Sequence, residues 1–396
     1  MNYFRLFFAK IYQLEIKKDR KKMKKLSLFV LIAIASCASK ATSVYDKDGT
    51  SFDIFGSIDA TFLNDHASRS VSAFNGKKND DNALLTRVKL GIAGRTNISD
   101  SLSAIGYSQW DMPTGNHGID KIKARSQYVG IDAYQYGTLT FGRGDTAFYT
   151  VAGTTDVFYQ LDQYVNDYYI LGDEKPSLAM YSVSTLGWDV RLSVQTAVSD
   201  VDSKNVDIHN GAAFSVATRS QNGFGFSYGI NYTDFQYEND LTKVSYFAPN
   251  INVMHNNSNT DDLLFAYMRR PSWKVDKGIS LTYGNMNEGL YAALTGTVTK
   301  YDGFTNHLYS YEALLSYTLD NGLTLTSYYG IKKFNGANII SNAALSAGYQ
   351  IAPSFRVYAE ASFDINSKPE RYYSKQQIIN TALGENKALI GAQYSY

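Results

Sequence analysis

The densest group of chemically useful side chains in this 396-residue sequence lies between Gly142 and Lys175. Carboxylates at Asp145, Asp156, Asp162 and Asp167 are interleaved there with Phe148, Tyr149, Phe158, Tyr159, Tyr164, Tyr168 and Tyr169. A connection this long with no repeat of its own is uncommon inside a compact domain and usually has a function. Carboxylates held on one side of a water-filled passage, opposite ammonium or guanidinium groups, orient a passing dipole and bias which ions enter. Catalysis fits poorly. His66, His117, His209, His255 and His307 are far apart and lack paired metal-ligand spacing. There is no Gly-x-Ser-x-Gly elbow, phosphate-binding glycine loop or zinc motif, and no nucleophile stands beside a base. The expectation is a non-enzyme with no cofactor and no metal centre. The loop acids Asp80, Asp81, Asp261 and Asp262 read as solvated tips, with divalent-cation binding as the other use of such oxygens.

The elements that must position the loop are β-strands. With 14% aromatic residues, 32 Tyr, 30 Gly and only 6 Pro, the composition suits a closed barrel better than a helical enzyme. The N-terminus is set aside first. Met23-Lys24-Lys25 followed by the apolar run Leu26 to Ala38 has the charged and hydrophobic regions of a secretory signal. That run is too short to span a bilayer, which takes about 20 residues. Ala41-Thr42-Ser43 offers a peptidase site that leaves Val44 as the mature start, so residues 1–43 are expected to be extension and signal, with Met23 the true start. Their removal takes away ten of the 38 basic residues and two of the 37 acidic ones, leaving 28 against 35. A mature chain with an acidic excess argues against a nucleic-acid partner. The single cysteine, Cys37, falls inside the signal, so no disulfide is expected.

From residue 44 onward the dominant signal is strict period-two alternation over segments of about ten residues, as expected when one strand face meets lipid and the other water. Trp188, Val190, Leu192 and Val194 share one face, and Asp189, Arg191, Ser193 and Gln195 the other. Phe52 to Phe62, with Phe55 the exception on its polar face, Phe224 to Tyr232, Leu290 to Val298, Tyr309 to Leu319, Leu323 to Ile331 and Phe355 to Ile365 behave alike. Tight turns at Gln221-Asn222-Gly223, Asp320-Asn321-Gly322 and Ala352-Pro353-Ser354 take turns with long polar stretches at Leu63 to Asn82, Glu238 to Asp261 and Asn366 to Glu385. That asymmetry is the outer-membrane arrangement. The predicted fold is all-β: a transmembrane antiparallel β-barrel of 16 strands over residues 44–396, with the third extracellular loop, 142–175, folded into the lumen as a constriction. Counting Asp261 to Trp273 as a strand, with one more from another loop, gives the alternative of 18. Phe62, Trp188, Tyr232, Phe363, Tyr394 and Tyr396 sit near the ends of outward faces, as an interfacial aromatic girdle requires.

At Tyr128-Val129-Gly130-Ile131-Asp132 and Tyr136-Gly137-Thr138-Leu139-Thr140-Phe141-Gly142-Arg143 the chain resembles the general diffusion porins of Gram-negative bacteria. Val44-Tyr45-Asp46-Lys47-Asp48-Gly49 is similar to a porin N-terminus, and Lys387 to Tyr396 to the closing strand. The resemblance implies a homotrimer in the outer membrane, in contact with its lipid and lipopolysaccharide, passing ions and small hydrophilic solutes. It implies that Tyr394 and Tyr396 are read by the barrel assembly machinery. It also places Lys89 and Arg125 at basic positions of the constriction, with Arg87 sharing the face of Lys89. The first-strand lysine of some relatives is Ser57 here, and a later basic position is Glu174 beside Lys175. On the acidic side Thr155-Asp156 matches the family's Thr-Asp, but Pro-Glu-Phe-Gly-Gly is replaced by Phe158-Tyr159-Gln160-Leu161-Asp162. Gln160 falls where a glutamate is expected, leaving Asp162 to substitute and Asp145 as a further candidate. Two other readings stay open: a sugar-specific channel whose loop aromatics form a stacking track, and an adhesin or receptor for which the barrel is a scaffold.

Overall fold

The computed structural model describes residues 42–65, 83–115, 118–119, 122–161, 165–171, 174–199, 207–236, 271–372 and 386–396. Sixteen strands follow one another as Thr50–Asp65, Ala83–Ser99, Leu102–Gly115, Lys123–Asp132, Thr138–Gly144, Lys175–Thr185, Trp188–Gln195, Asp207–Arg219, Phe224–Gln236, Trp273–Asn285, Glu288–Tyr301, Leu308–Thr318, Leu323–Phe334, Ala337–Ala352, Phe355–Asp364 and Lys387–Ser395. Consecutive strands pair antiparallel, and the last pairs with the first, Ile390 opposite Phe62 and Tyr394 opposite Ile58. The sheet therefore closes on itself and leaves no long unpaired edge. A further strand, Thr42–Lys47, folds back on the first part of Thr50–Asp65, and Gly118–Ile119 pairs antiparallel with the end of Leu102–Gly115. The expected sixteen is the number of strands in the ring. Residues 261–270, on which the alternative count turned, lie outside the described residues.

Alternation in sequence becomes two chemically distinct faces. Along Phe224–Gln236, Phe224, Phe226, Tyr228 and Tyr232 are exposed while Ser227, Asn231 and Thr233 are buried. Along Trp188–Gln195, Trp188, Leu192 and Val194 are exposed and Ser193 and Gln195 buried. This inverts the rule for water-soluble proteins. Leu84 is 66% exposed, Ile390 60% and Leu294 58%, and each such side chain left in water forgoes roughly 1.5–3 kcal/mol of burial. A continuous band of them needs a hydrocarbon surround. Of the expected girdle residues, Phe62, Trp188, Tyr232, Phe363 and Tyr394 all point out from it.

The tight turns fall where expected. Gly223 and Gly322 adopt φ of +86°, a conformation glycine takes without steric cost. At the other end the connections are mostly long, with one departure: Leu323–Phe334 and Ala337–Ala352 are joined through Asn335 and Gly336 alone. The apolar core lies on the polar-faced side of the strands. Leu161 and Val165 pack there with Tyr291, Leu314, Tyr328 and Tyr358, and Ala147, Phe148, Ala152, Tyr168 and Tyr169 pack with Ala213.

Candidate functional site

The segment between Thr138–Gly144 and Lys175–Thr185 contains a short helix, Tyr149–Ala152, and a 3-10 turn, Asp167–Leu171. Its aromatic and branched residues seat over strand glycines. A Cβ on Gly229 would come within 3.0 Å of the Phe148 ring and 3.2 Å of Val151; one on Gly278 would meet Val151 at 3.0 Å. Gly330 makes the same room for Val165, and Gly348 for Tyr159. Small residues on one face of a strand thus decide where the loop can lie close.

Polar contacts fix the rest. Thr155 Oγ1 donates to Glu312 Oε2 at 2.6 Å, and Tyr291 Oη donates to the Thr154 carbonyl at 2.7 Å. Three consecutive loop amides, those of Tyr159, Gln160 and Leu161, donate to the Glu360 carboxylate at 2.7, 3.0 and 2.9 Å. Asp167 receives Lys332 Nζ at 3.1 Å and also the Tyr301 hydroxyl, while Lys274 Nζ donates to the Asp167 carbonyl at 3.0 Å. Burial pushes the Asp167 carboxyl up, but the Lys332 and Lys274 ammonium groups outweigh it and hold it below its ordinary value. Removing one member of such a buried pair typically costs about 3–5 kcal/mol.

The basic wall follows from strand register. Ser57 is opposite Lys89, and Lys89 opposite Asp111, so all three share a face with Arg87 and Asp59. Arg87 Nε donates to both Asp111 oxygens at 2.7 and 2.9 Å, its Nη2 contacts Asp111 as well, and its Nη1 reaches Gln160 Oε1 at 3.3 Å. Arg125 Nε donates to Glu174 Oε1 at 2.8 Å. Arg87 and Arg125 are thus ion-paired, and Arg87 meets the loop through an amide where a carboxylate was anticipated. Of the loop acids, Asp156 is exposed and accepts from the Tyr149 hydroxyl at 3.4 Å, Asp145 is half-buried, and Asp162 lies outside the described residues. The loop aromatics divide into buried members and partly exposed ones, Tyr149, Phe158 and Tyr159 among the latter. Phe148, Tyr168 and Tyr169 are at most 7% exposed, Phe158 is edge-on to Tyr328, and Tyr159 lies between Tyr358 and Arg356. Tyr164 is outside the described residues.

Sequence reasoning did not single out Glu312, Glu360, Lys274 or Lys332. The available signal was weak: one charge on a strand face otherwise made of small or neutral residues, as in Ser310, Glu312, Leu314, Ser316. At the seam, Tyr396 N donates to the Gly56 carbonyl at 3.1 Å and its own carbonyl accepts from Gly56 N at 3.0 Å. Its ring lies against Gly56, where a Cβ would come 2.8 Å from the hydroxyl.

A closed, sixteen-stranded antiparallel ring with apolar residues outside and paired charges inside is an integral outer-membrane channel. Residues 27–369 match the Gram-negative porin family, and the chain belongs to it. It is 25% identical over 324 residues to the outer membrane porin PhoE of Klebsiella oxytoca, covering 79% of this chain and 82% of that protein. To the outer membrane porin OmpD of Salmonella typhimurium it is 23% identical over 398 residues, covering 96% and 98%. Among solved structures, Salmonella typhi OmpF in complex with daunomycin superposes with a TM-score of 0.68 at 16% identity, covering 90% of this chain and all of that one. OmpT of Vibrio cholerae gives 0.58 at 14% identity, covering 89% and 99%. The protein is an outer-membrane channel for passive diffusion of small solutes.

Proposed function

We propose that residues 142–175 are the constriction of this channel, folded across the lumen with Asp145, Asp156 and Asp162 on the loop and Arg87, Lys89 and Arg125 on the facing wall. The observation that carries the reading is the Glu360 carboxylate holding three successive loop amides from a strand almost at the other end of the chain. A loop tied to the polar face at Glu312, Lys332 and Glu360 together leaves the Lys89 side of the ring for solute. Because Asp111 pairs with Arg87 and Glu174 with Arg125, the wall carries less net positive charge than three cations suggest. With an acidic mature chain, this favours mild cation preference. The working unit is a homotrimer, without enzymatic activity, reached after cleavage before Val44 and assembly guided by Tyr394 and Tyr396; lipopolysaccharide surrounds its outer rim. Bilayer recording under a salt gradient tests the assignment. Lys89→Glu is expected to move the reversal potential toward cations and Asp111→Asn toward anions; unchanged potentials in both would remove Lys89 and Asp111 from the narrow ring.

A further inference from the structure

Three rings, the last of them on the strand that pairs with the start of the loop segment, form a continuous ribbon on the charged face of the wall. Phe55 and Tyr107 have centroids 5.4 Å apart with planes at 31°, and Tyr107 and Tyr128 lie 5.2 Å apart and nearly parallel, at 9°. Register puts them on the same face as Lys89: Phe55 is opposite Gly91, two residues from Lys89, and Tyr107 is opposite both Ala93 and Tyr128. The Phe55 ring occupies the space a Cβ on Gly91 would take, 2.3 Å from two of its carbons. It therefore leans across the Ala83–Ser99 strand to reach Tyr107. All three rings are partly exposed, unlike Phe148, Tyr168 and Tyr169. Polar groups flank the ribbon. Asp53 is opposite Ala93 on the Phe55 side, Gln109 is opposite Gly91 on the Lys89 side, and the Arg95–Asp132 ion pair lies beyond Tyr107.

An apolar strip about three rings long, edged by a carboxylate, an amide and an ion pair, matches the chemistry of a pyranose chain. Such a sugar presents C–H faces for aromatic surfaces and equatorial hydroxyls for hydrogen bonds at the rim. We infer that Phe55, Tyr107 and Tyr128, with Asp53 and Gln109, form a binding strip for linear pyranose oligosaccharides on the channel wall. The inference rests on the channel reading but not on the constriction assignment.

The test uses the full mature protein in planar bilayers in potassium chloride, with maltotriose as probe and a polyethylene glycol of matched mass as the size control. Maltotriose is expected to block the ion current saturably, and the glycol not to saturate. Tyr107→Leu, which keeps bulk but removes the aromatic face, is expected to raise the half-blocking concentration about two- to tenfold. Phe55→Leu, at one end of the strip, provides a second variant should the first fail to fold. Equal, non-saturating effects of sugar and glycol, or a half-blocking concentration unmoved in the folded variants, would overturn the binding strip while leaving the channel intact. Absence of any ion current in salt alone would overturn the channel reading itself.

Discussion

Substituting Glu360 by glutamine isolates the contribution of one strand carboxylate to the docked loop. Glu360 is 3% exposed and accepts from the amides of Tyr159, Gln160 and Leu161, and from Ser346 Oγ at 3.2 Å. A hydrogen bond to a charged acceptor contributes roughly 1.5–3 kcal/mol. Glutamine keeps one oxygen, which in the place of Oε2 retains the Gln160 and Leu161 amides, and turns an NH2 toward the Tyr159 amide, so one of the three amide contacts is lost. The docked loop tip is then weakened by about 1.5–3 kcal/mol, a factor of roughly 10 to 10² in the docked-to-released ratio. Since Cys37 is the only cysteine in the sequence and precedes the proposed cleavage point, a thiol introduced at the buried Leu161 position reports release without background. The expected result is faster maleimide labelling of Leu161→Cys in the Glu360→Gln background, together with larger open-channel current noise. Equal labelling rates and unchanged noise in a folded barrel would refute the argument that Glu360 holds the loop.

Gly278→Val places a branched side chain where a Cβ alone would sit 3.0 Å from Val151 and 3.2 Å from Phe148. The overpacking is expected to cost about 1–3 kcal/mol and to lower the thermal midpoint of the folded barrel while changing its conductance; a change in neither means the loop helix yields freely. Deleting Tyr396 removes both backbone bonds to Gly56 and the ring packed on it, so the yield of folded protein in the outer membrane is expected to fall, as read by heat-dependent gel mobility. A normal yield would show that the seam closes without its last residue.

Much of the fold was legible because a strand's pleat is local: residues two apart point the same way whatever the rest of the chain does. Trp188, Leu192 and Val194 could only share a face, and glycines at 223 and 322 could only mark turns of their kind. The ring of sixteen followed from the number of such runs and the need to close an even antiparallel sheet. The loop was legible as a long connection with acids and aromatics. Which side chains it would meet was not, because Asp167 finds Tyr301 across 134 residues and Tyr159 finds Glu360 across 201.

Pairing also decided how charge in the sequence translated into field in the site. Lys89, Arg87 and Arg125 read as three cations on one wall, but hairpin register sets Asp111 on the next strand against Arg87, and the return of the loop sets Glu174 against Arg125. Folding also buries Phe148 against Gly229 and Gly278 and gathers Tyr168 and Tyr169 with Ala213, while Phe55, Tyr107 and Tyr128 stay partly exposed. Alternation alone determined which face each residue occupies. Only the closed tertiary structure decided which residues on that face stand opposite one another, because register around a ring is a global property and a Coulomb interaction depends on separation in space.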